Sequence, residues 1–140
     1  MTPATNSLHY MLDTNMIAYA RNRRPECVLN RLLQHDPAEI SISSITMAEL
    51  EYGVFNSSRP EQNRTALLMF LSGIAVLPFD SSASLEYGNI RYKLKSQGAI
   101  IGANDMLIAA HARSLGLTLV THNTKEFSRV EGLLIEDWAS

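Results

Sequence analysis

Three acidic residues stand in stretches of the sequence that are otherwise apolar, where an ionised carboxylate is costly to bury unless it is compensated. Asp13 follows the apolar run LHYML, Glu49 lies within ITMAEL, and Asp105 begins the helical pattern of GANDMLIAAHA. The segments MLDTN, MAEL and GANDM contain no Lys or Arg that would neutralise these side chains. A divalent cation would do so, and oxygen ligands favour Mg²⁺ or Mn²⁺. Because a cation held by carboxylates orients water and stabilises charge at a phosphodiester, the sequence predicts a metal-dependent hydrolytic site.

Each of these carboxylates also has a simpler interpretation. Asp is a favoured N-cap residue, so Asp13 could merely cap a helix that begins at Met16. Asp105 could compensate the dipole of its own helix from the first turn. Glu49 lies close to Glu51 and could be an exposed helix residue. Spacing alone leaves both interpretations open for all three.

The elements that must position these side chains are strands and helices in regular alternation. Apolar or alternating runs predict five strands, at 8–12, 39–43, 75–79, 117–121 and 133–137, the last at an edge of the sheet. Helical spacing of apolar residues predicts helices at 16–22, 27–35, 45–55, 59–74, 82–97 and 104–115. This alternation predicts an α/β sandwich around a mostly parallel central sheet.

Several helix ends carry their own signals. Ser44 or Thr46 is expected to cap the helix over 45–55, and Asp80 the helix that follows AVLPF. Gly98 and Gly116 stand where a left-handed residue usually ends a helix.

Other polar residues bear on the same edge of the sheet, because ligands gather at the carboxyl ends of parallel strands. LTLVT runs into His122, which we expect in a loop, and Asn123, which either delivers an amide oxygen or serves as a turn residue. His111 lies on the apolar face of its helix and is predicted to be a packed histidine. The lone Cys27 has no disulfide partner and is predicted to be half-buried.

Length and composition, with 19% charged residues, predict one soluble domain over 1–140. The sequence has no apolar run long enough to span a membrane and no secretory signal, so we expect a cytoplasmic protein. The formal charge of −2 gives no general attraction to nucleic acid. An RNA partner would need local basic patches, for which Arg21 and Arg23, or Arg91 and Lys95, are candidates beside the simpler interpretation of solvated helix surface. The phosphate-binding patterns GxxxxGK[ST] and GxGxxG are absent from the sequence.

Four segments together resemble a known family. MLDTN, SSITMAELEYG, GANDMLIAAHA and LVTHNTKEFSRVEGLLIEDW occur in this order and spread over nearly the whole chain. The pattern is similar to that of the PIN-domain ribonucleases, and specifically to the VapC toxins of bacterial VapBC toxin–antitoxin modules. The resemblance implies a PIN-domain α/β/α sandwich with a mostly parallel central sheet, and an endoribonuclease that depends on Mg²⁺ or Mn²⁺.

The resemblance also implies roles for individual residues. Asp13 and Asp105 would be the principal metal ligands, and Glu49 a ligand, direct or through water, that helps to polarise the attacking water. Asn15 and Thr121 would support these ligands by hydrogen bonding.

Asn123 stands where many relatives place a fourth acidic residue, so it is counted with the catalytic set. An amide supplies no charge, and the number of metal ions therefore stays open.

The expected substrate is structured RNA, usually tRNA, with the anticodon stem-loop of initiator tRNA as the target of similar family members. A VapB antitoxin would block the site with its C-terminal segment and bind operator DNA with its N-terminal part. A homodimer is also implied, and the apolar segments 45–55 and 66–74 offer surface for both partners.

Two other functions remain open at this point. The chain could be a PIN nuclease that processes RNA without being a toxin, or a catalytically inert PIN module that binds RNA or protein. Retention of three carboxylates favours an enzyme over the inert module.

Overall fold

The computed structural model describes residues 7–140, and its centre is a parallel five-stranded sheet in the order β3-β2-β1-β4-β5. The strands are β1 (Tyr10–Leu12), β2 (Ile40–Ser43), β3 (Ala75–Leu77), β4 (Thr118–Val120) and β5 (Leu134–Glu136). All five predicted strands are present, each shorter than its apolar run, and the last lies at an edge as expected. The mostly parallel sheet that the alternation predicted is confirmed, and the observed sheet is parallel throughout.

Seven α-helices connect the strands within the described residues. They are α1 (Thr14–Asn22), α2 (Glu26–Leu33), α3 (Ser44–Phe55), α4 (Pro60–Phe70), α5 (Ser81–Ser96), α6 (Ala103–Leu115) and α7 (Thr124–Phe127), with a 3₁₀ turn at Pro37–Glu39. Residues 7–140 contain no helix that is both long and apolar enough to cross a membrane.

Helices cover both faces of the sheet, and alternation along the strands divides the core between them. Met11 packs in one buried cluster with Leu119, whereas the next residues along, Leu12 and Val120, pack in the other. Strands buried on both faces have continuous apolar sequences, which explains runs such as LHYML and LTLVT. The architecture is the expected α/β/α sandwich.

The start of α3 differs from the prediction. Ser43, the last residue of β2, is the cap, and its hydroxyl oxygen accepts the Ile45 N–H at 3.0 Å. The strand passes into the helix without a loop, so its extended last residue occupies the cap position. Ser44 instead accepts the Phe79 N–H at 3.0 Å, and the buried Thr46 hydroxyl has no hydrogen-bond partner among the described residues.

Helix α4 ends four residues before the predicted limit because the chain must turn sharply into β3. Gly73 has a φ of +85°, and a Cβ there would lie 3.2 Å from the Cβ of Pro37. Asp80 caps α5 as predicted, and Gly116, with a φ of +67°, ends α6 as predicted. Cys27, expected to be half-buried, is exposed because α2 turns other residues toward the core.

Candidate functional site

Asp13 lies at the centre of the carboxyl edge of the sheet, directly after the middle strand β1. Its Oδ1 accepts the Met16 N–H at 2.9 Å and so caps α1, and the hydroxyl of Thr121 donates a second hydrogen bond to the carboxylate. Thr121 is fully buried, and its own oxygen accepts the Asn123 N–H at 3.0 Å. Asp13 therefore is a cap, as the simpler interpretation held, and is also fixed in orientation from β4.

The Asp13 carboxylate is only 6% exposed, and its surroundings disfavour the ionised form. Burial raises its pKa to about 6, although the hydrogen bonds from Thr121 and Met16 act in the opposite direction. The nearby carboxylates of Asp105 and Glu49 add to the rise in this pKa. Asp13 thus faces other acidic groups across the edge and would gain from a neighbouring positive charge.

Asp105 lies in the first turn of α6 and is partly buried. Burial raises its pKa, and the carboxylates of Glu126 and Glu49 raise it further. The N-cap residue of this helix is Gly102, where a Cβ would lie 3.4 Å from the Asp105 Oδ2. A side chain at this position would therefore be in ordinary contact with the Asp105 carboxylate.

Glu49 projects from α3 and is held at both of its carboxylate oxygens. The Thr14 hydroxyl donates to Oε1, and the Asn104 amide Nδ2 donates to Oε2 at 3.2 Å. The side chain is partly buried beside the buried Leu50, but Ala48, expected to be a core neighbour, is exposed. Helices α1 and α6 therefore fix the orientation of Glu49.

Glu126 is the acidic residue that the sequence analysis missed. It lies in the one-turn helix α7, whose Phe127 is buried, and its charge acts on Asp105 more strongly than that of Glu49 does. The polar residues directly after β4 are His122 and Asn123, and Glu126 lies three positions further on. The acidic residue next to Phe127, one turn after the strand, is the pattern that would have indicated Glu126.

The donor set fits a divalent cation in charge and in ligand type. Asp13, Glu49, Asp105 and Glu126 are hard oxygen donors at one edge of the sheet. The carboxylate of Glu49 raises the pKa of both aspartates, and that of Glu126 raises the pKa of Asp105. Within residues 7–140, however, no three Asp, Glu, His or Cys side chains converge closely enough to hold an ion as they stand. Binding of a cation would require these carboxylates to turn toward one another.

Asn15 and the four predicted basic residues form no hydrogen bond with the carboxylates within the described part of the chain. Asn15 is exposed in the first turn of α1. Arg21 and Arg23 line a separate groove, and Arg91 and Lys95 are exposed on α5, where Arg91 donates to the Tyr87 hydroxyl at 3.0 Å. The open cleft beside Glu49 is lined by other residues, so the structure does not bring these basic side chains to it.

His111 is the packed histidine that its position predicted. It is 2% exposed, its Nδ1 lies 2.8 Å from the Ser43 hydroxyl oxygen, and its ring meets Phe79 edge-on. Because the Ser43 oxygen already accepts the Ile45 N–H, its own proton is available to the neutral imidazole. His122 is in the expected loop, with its Nδ1 2.9 Å from an Asp137 oxygen.

The buried imidazole of His111 predicts a loss of stability in acid. Burial lowers its pKa, and the Asp80 carboxylate opposes this only in part. The unfolded chain, with an ordinary histidine pKa of 6.5, therefore binds a proton at pH values where the folded state does not. The contribution of His111 to the free energy of unfolding is complete above pH 6.5 and falls by up to about 1.4 kcal/mol per pH unit below it.

Urea unfolding of the wild type and of His111→Gln at pH 7.5 and 5.5 measures this contribution. The wild type is expected to lose more stability than the variant between the two pH values. An equal loss in both proteins would contradict a neutral, buried His111.

Comparisons with known proteins agree with this architecture. The sequence profile of the PIN domain matches residues 10–133. Ribonuclease VapC2 of Rickettsia felis is 46% identical over 92% of this chain and 97% of its own length. The tRNA(fMet)-specific endonuclease VapC of Shigella flexneri is 43% identical over 94% of this chain and 99% of its own. In the crystal structure of VapBC2 from Rickettsia felis bound to a promoter DNA fragment, a chain with 43% identity superposes with a TM-score of 0.86, covering 94% of this chain and 99% of that one.

Proposed function

This chain belongs to the VapC family of PIN-domain ribonucleases, and we propose that it is a divalent-metal-dependent endoribonuclease whose cation is held by Asp13, Glu49, Asp105 and Glu126. The observation that carries the proposal is the gathering of these carboxylates at the carboxyl edge of the central strands, where their neighbours raise the pKa of Asp13 and Asp105. Mg²⁺ or Mn²⁺ is the cofactor that such oxygen ligands favour.

The residues of the chain have separable tasks in this reaction. A divalent cation at this site supplies a polarised water molecule and positive charge at the scissile phosphate. Thr121 fixes the direction of the Asp13 carboxylate from β4. Thr14 and Asn104 hold Glu49 at both oxygens, and this fixed orientation supports a role for that carboxylate in polarising the attacking water.

Asn123 stands where many relatives have a fourth acidic residue, and in this chain Glu126 supplies the fourth carboxylate instead. The Asn123 N–H donates to Thr121, which in turn donates to Asp13, so the contribution of this residue passes through its backbone. Glu126, one turn later, supplies the negative charge next to Asp105. With Glu126 the proposed set contains four carboxylates without a contribution from the Asn123 side chain.

Glu126→Gln is expected to lower the rate of RNA cleavage by about 10- to 100-fold at limiting Mg²⁺, because it removes a carboxylate that faces Asp105. Asn123→Ala keeps the backbone N–H and is expected to lose much less. Cleavage rates across a Mg²⁺ titration measure both effects. Glu131→Gln makes the same chemical change at an exposed residue and serves as the control; equal rates for the two Gln variants would remove Glu126 from the site.

We propose tRNA as the substrate, with the anticodon stem-loop of initiator tRNA as the first candidate. The support is the similarity to the Shigella flexneri endonuclease, which is named as specific for tRNA(fMet). Unpaired loop nucleotides can be splayed into a cleft, whereas a duplex cannot. Incubation of antitoxin-free protein with total tRNA, with and without Mg²⁺, tests the proposal, and sequencing of the new ends gives the position of the cut.

We further propose a VapB antitoxin as partner. The chain would contact operator DNA only through this antitoxin. The related Rickettsia felis VapBC2 was crystallised with a fragment of its promoter. A groove of about 510 Å³ between α1, α2 and the end of α4 has an apolar floor that includes Leu32 and Phe70, with Arg21 and Arg23 along it. This combination suits an apolar antitoxin segment that carries acidic residues, and it offers a task for both arginines away from the RNA.

A homodimer is the second association that we propose. Helix α4 exposes Leu68 and Met69 side by side, at 53% and 72% of their surface. Apolar side chains of this size on one exposed helical face are typical of a surface that is covered in the assembled protein.

A further inference from the structure

An open cleft of about 570 Å³ begins at the candidate catalytic site and extends away from it between α3 and α6. Its polar lining includes Glu49 and Asn104, which belong to the site or contact it. Ile45 and Leu107 give it an apolar lining, and Tyr52 lies one helical turn after Glu49. The volume lies within the range of pockets that hold small organic groups.

Tyr52 is the residue that gives this cleft a specific chemistry. It is 69% exposed and lies one turn after Glu49 on the same helix. Proteins that bind single-stranded RNA stack unpaired bases on exposed aromatic rings, because every base has a flat, polarisable face. The ring of Tyr52 thus stands one helical turn from a carboxylate of the candidate site.

Charge favours a base over other parts of an RNA strand in this cleft. Among the described residues, the lining of the cleft includes no Lys or Arg that would pair with a phosphate group, whereas a nucleobase is neutral and needs no such partner. The Asn104 amide donates one N–H to Glu49, and its oxygen and second N–H have no other partner among the described residues. A free donor and acceptor on one amide match the edge of a base.

We propose that this cleft is a nucleobase-binding subsite, in which a base next to the scissile phosphate stacks on Tyr52. The proposal rests on the proposed nuclease function, because an RNA strand with a phosphate at the carboxylates must place a neighbouring nucleotide close to Glu49. The apolar side chains of the cleft exclude water from the base, and the ring of Tyr52 stacks on one of its faces. The subsite would contribute to the choice of cleavage position.

Binding is tested with the Asp105→Asn variant, which prevents cleavage during the measurement. The probes are ten-nucleotide single-stranded RNAs that carry one 2-aminopurine, whose fluorescence is quenched on stacking. Quenching is expected with Tyr52 and with Tyr52→Phe, and its loss with Tyr52→Ala, together with a Kd that is about 5- to 150-fold weaker. Unchanged quenching and affinity in Tyr52→Ala would overturn the subsite.

Cleavage provides the second test, with a tRNA loop in which single nucleotides next to the cut are made abasic. One abasic position is expected to slow the wild type by about 5- to 150-fold and to slow Tyr52→Ala no further, since the stacking partner is already absent. Equal slowing of both proteins by every abasic position would overturn the subsite. A change in oligomeric state of Tyr52→Ala, measured by light scattering, with its abasic sensitivity retained would instead assign Tyr52 to contact with a second copy of the chain.

The two tests separate this inference from the proposed function. If the wild type cleaves no RNA in Mg²⁺ while quenching still depends on Tyr52, the nuclease proposal fails and the base-binding cleft stands. If the wild type cleaves RNA and quenching does not depend on Tyr52, the subsite fails and the nuclease proposal stands.

Discussion

Asp105→Asn is expected to lower cleavage of tRNA by about 10³-fold at saturating Mg²⁺, which corresponds to a loss of ~4 kcal/mol of transition-state stabilisation. The substitution keeps the shape of the side chain and removes its negative charge, so one anionic ligand is lost. Asp105 is only partly buried and forms no cap hydrogen bond with its helix, since the N-cap is Gly102. The fold is therefore expected to survive the change, and thermal unfolding should occur at or above the wild-type temperature.

The control for this experiment is Asp36→Asn, the same change at an exposed residue before β2, at the opposite edge of the sheet. It should cleave at the wild-type rate, and EDTA should stop it as it stops the wild type. Cleavage by Asp105→Asn within a few-fold of the wild type would remove Asp105 from the set of ligands. If no folded, Mg²⁺-loaded sample cleaves RNA, the chain is better described as a binding module of the PIN fold.

The arrangement of the carboxylates follows from sequence patterns that depend on topology. Apolar runs predict the strands, and strands separated by helices predict a parallel sheet, which brings the residue after β1 and the residues after β4 to one edge. Asp13 and Thr121 are joined at that edge by a hydrogen bond, the support that the family resemblance implied for Thr121.

Contacts between side chains on different helices could not be predicted from the sequence. Glu126 approaches Asp105 only because α7 makes a single turn and buries Phe127. Arg21 was a candidate RNA contact or a residue of solvated helix surface, yet nothing in the sequence showed that it lines the groove next to α2 and α4. Which surface a helix residue reaches is decided by packing between elements distant in sequence.

Helix limits show the same division between local and distant causes. Asp80 and Gly116 were predicted correctly because a cap hydrogen bond and a left-handed backbone are local properties. The predicted caps of α3, Ser44 or Thr46, follow the observed cap Ser43 because β2 joins that helix directly. The early end of α4 depends on the approach of Gly73 to Pro37. Neither of these contacts leaves a local pattern in the sequence.

Asp13→Asn is expected to stabilise the fold at neutral pH while it removes RNA cleavage. Burial raises the pKa of Asp13 from 3.8 to about 6, so keeping this carboxylate ionised at pH 8 costs the folded state about 3 kcal/mol relative to the unfolded chain. Asn removes the charge and keeps an oxygen that can accept the Met16 N–H. We expect the free energy of unfolding at pH 8 to rise by about 1–3 kcal/mol.

The sign of this effect depends on pH. Below pH 3.8 the carboxyl group is protonated in both the folded and the unfolded state, so the variant has no advantage there. The wild type loses stability relative to the variant as pH rises from 3.8 to about 6, and the full difference is present above pH 6. Urea unfolding at pH 3.5 and pH 8 measures the difference, and Asp36→Asn, an exposed cap that accepts the Ala38 N–H at 2.9 Å, should change stability by less than about 0.5 kcal/mol.

Mg²⁺ is expected to close or reverse this difference, because it binds the folded wild type at the carboxylates whose repulsion it relieves. At a concentration 100 times its Kd, a ligand that binds only the folded state adds about 2.7 kcal/mol to the free energy of unfolding. The variant lacks the most buried of these carboxylates and should gain less. Equal stabilisation of both proteins by Mg²⁺ would exclude Asp13 as a ligand. A larger gain in the wild type would show that the buried carboxylate that lowers the free energy of unfolding of the metal-free protein is also one that binds the cation.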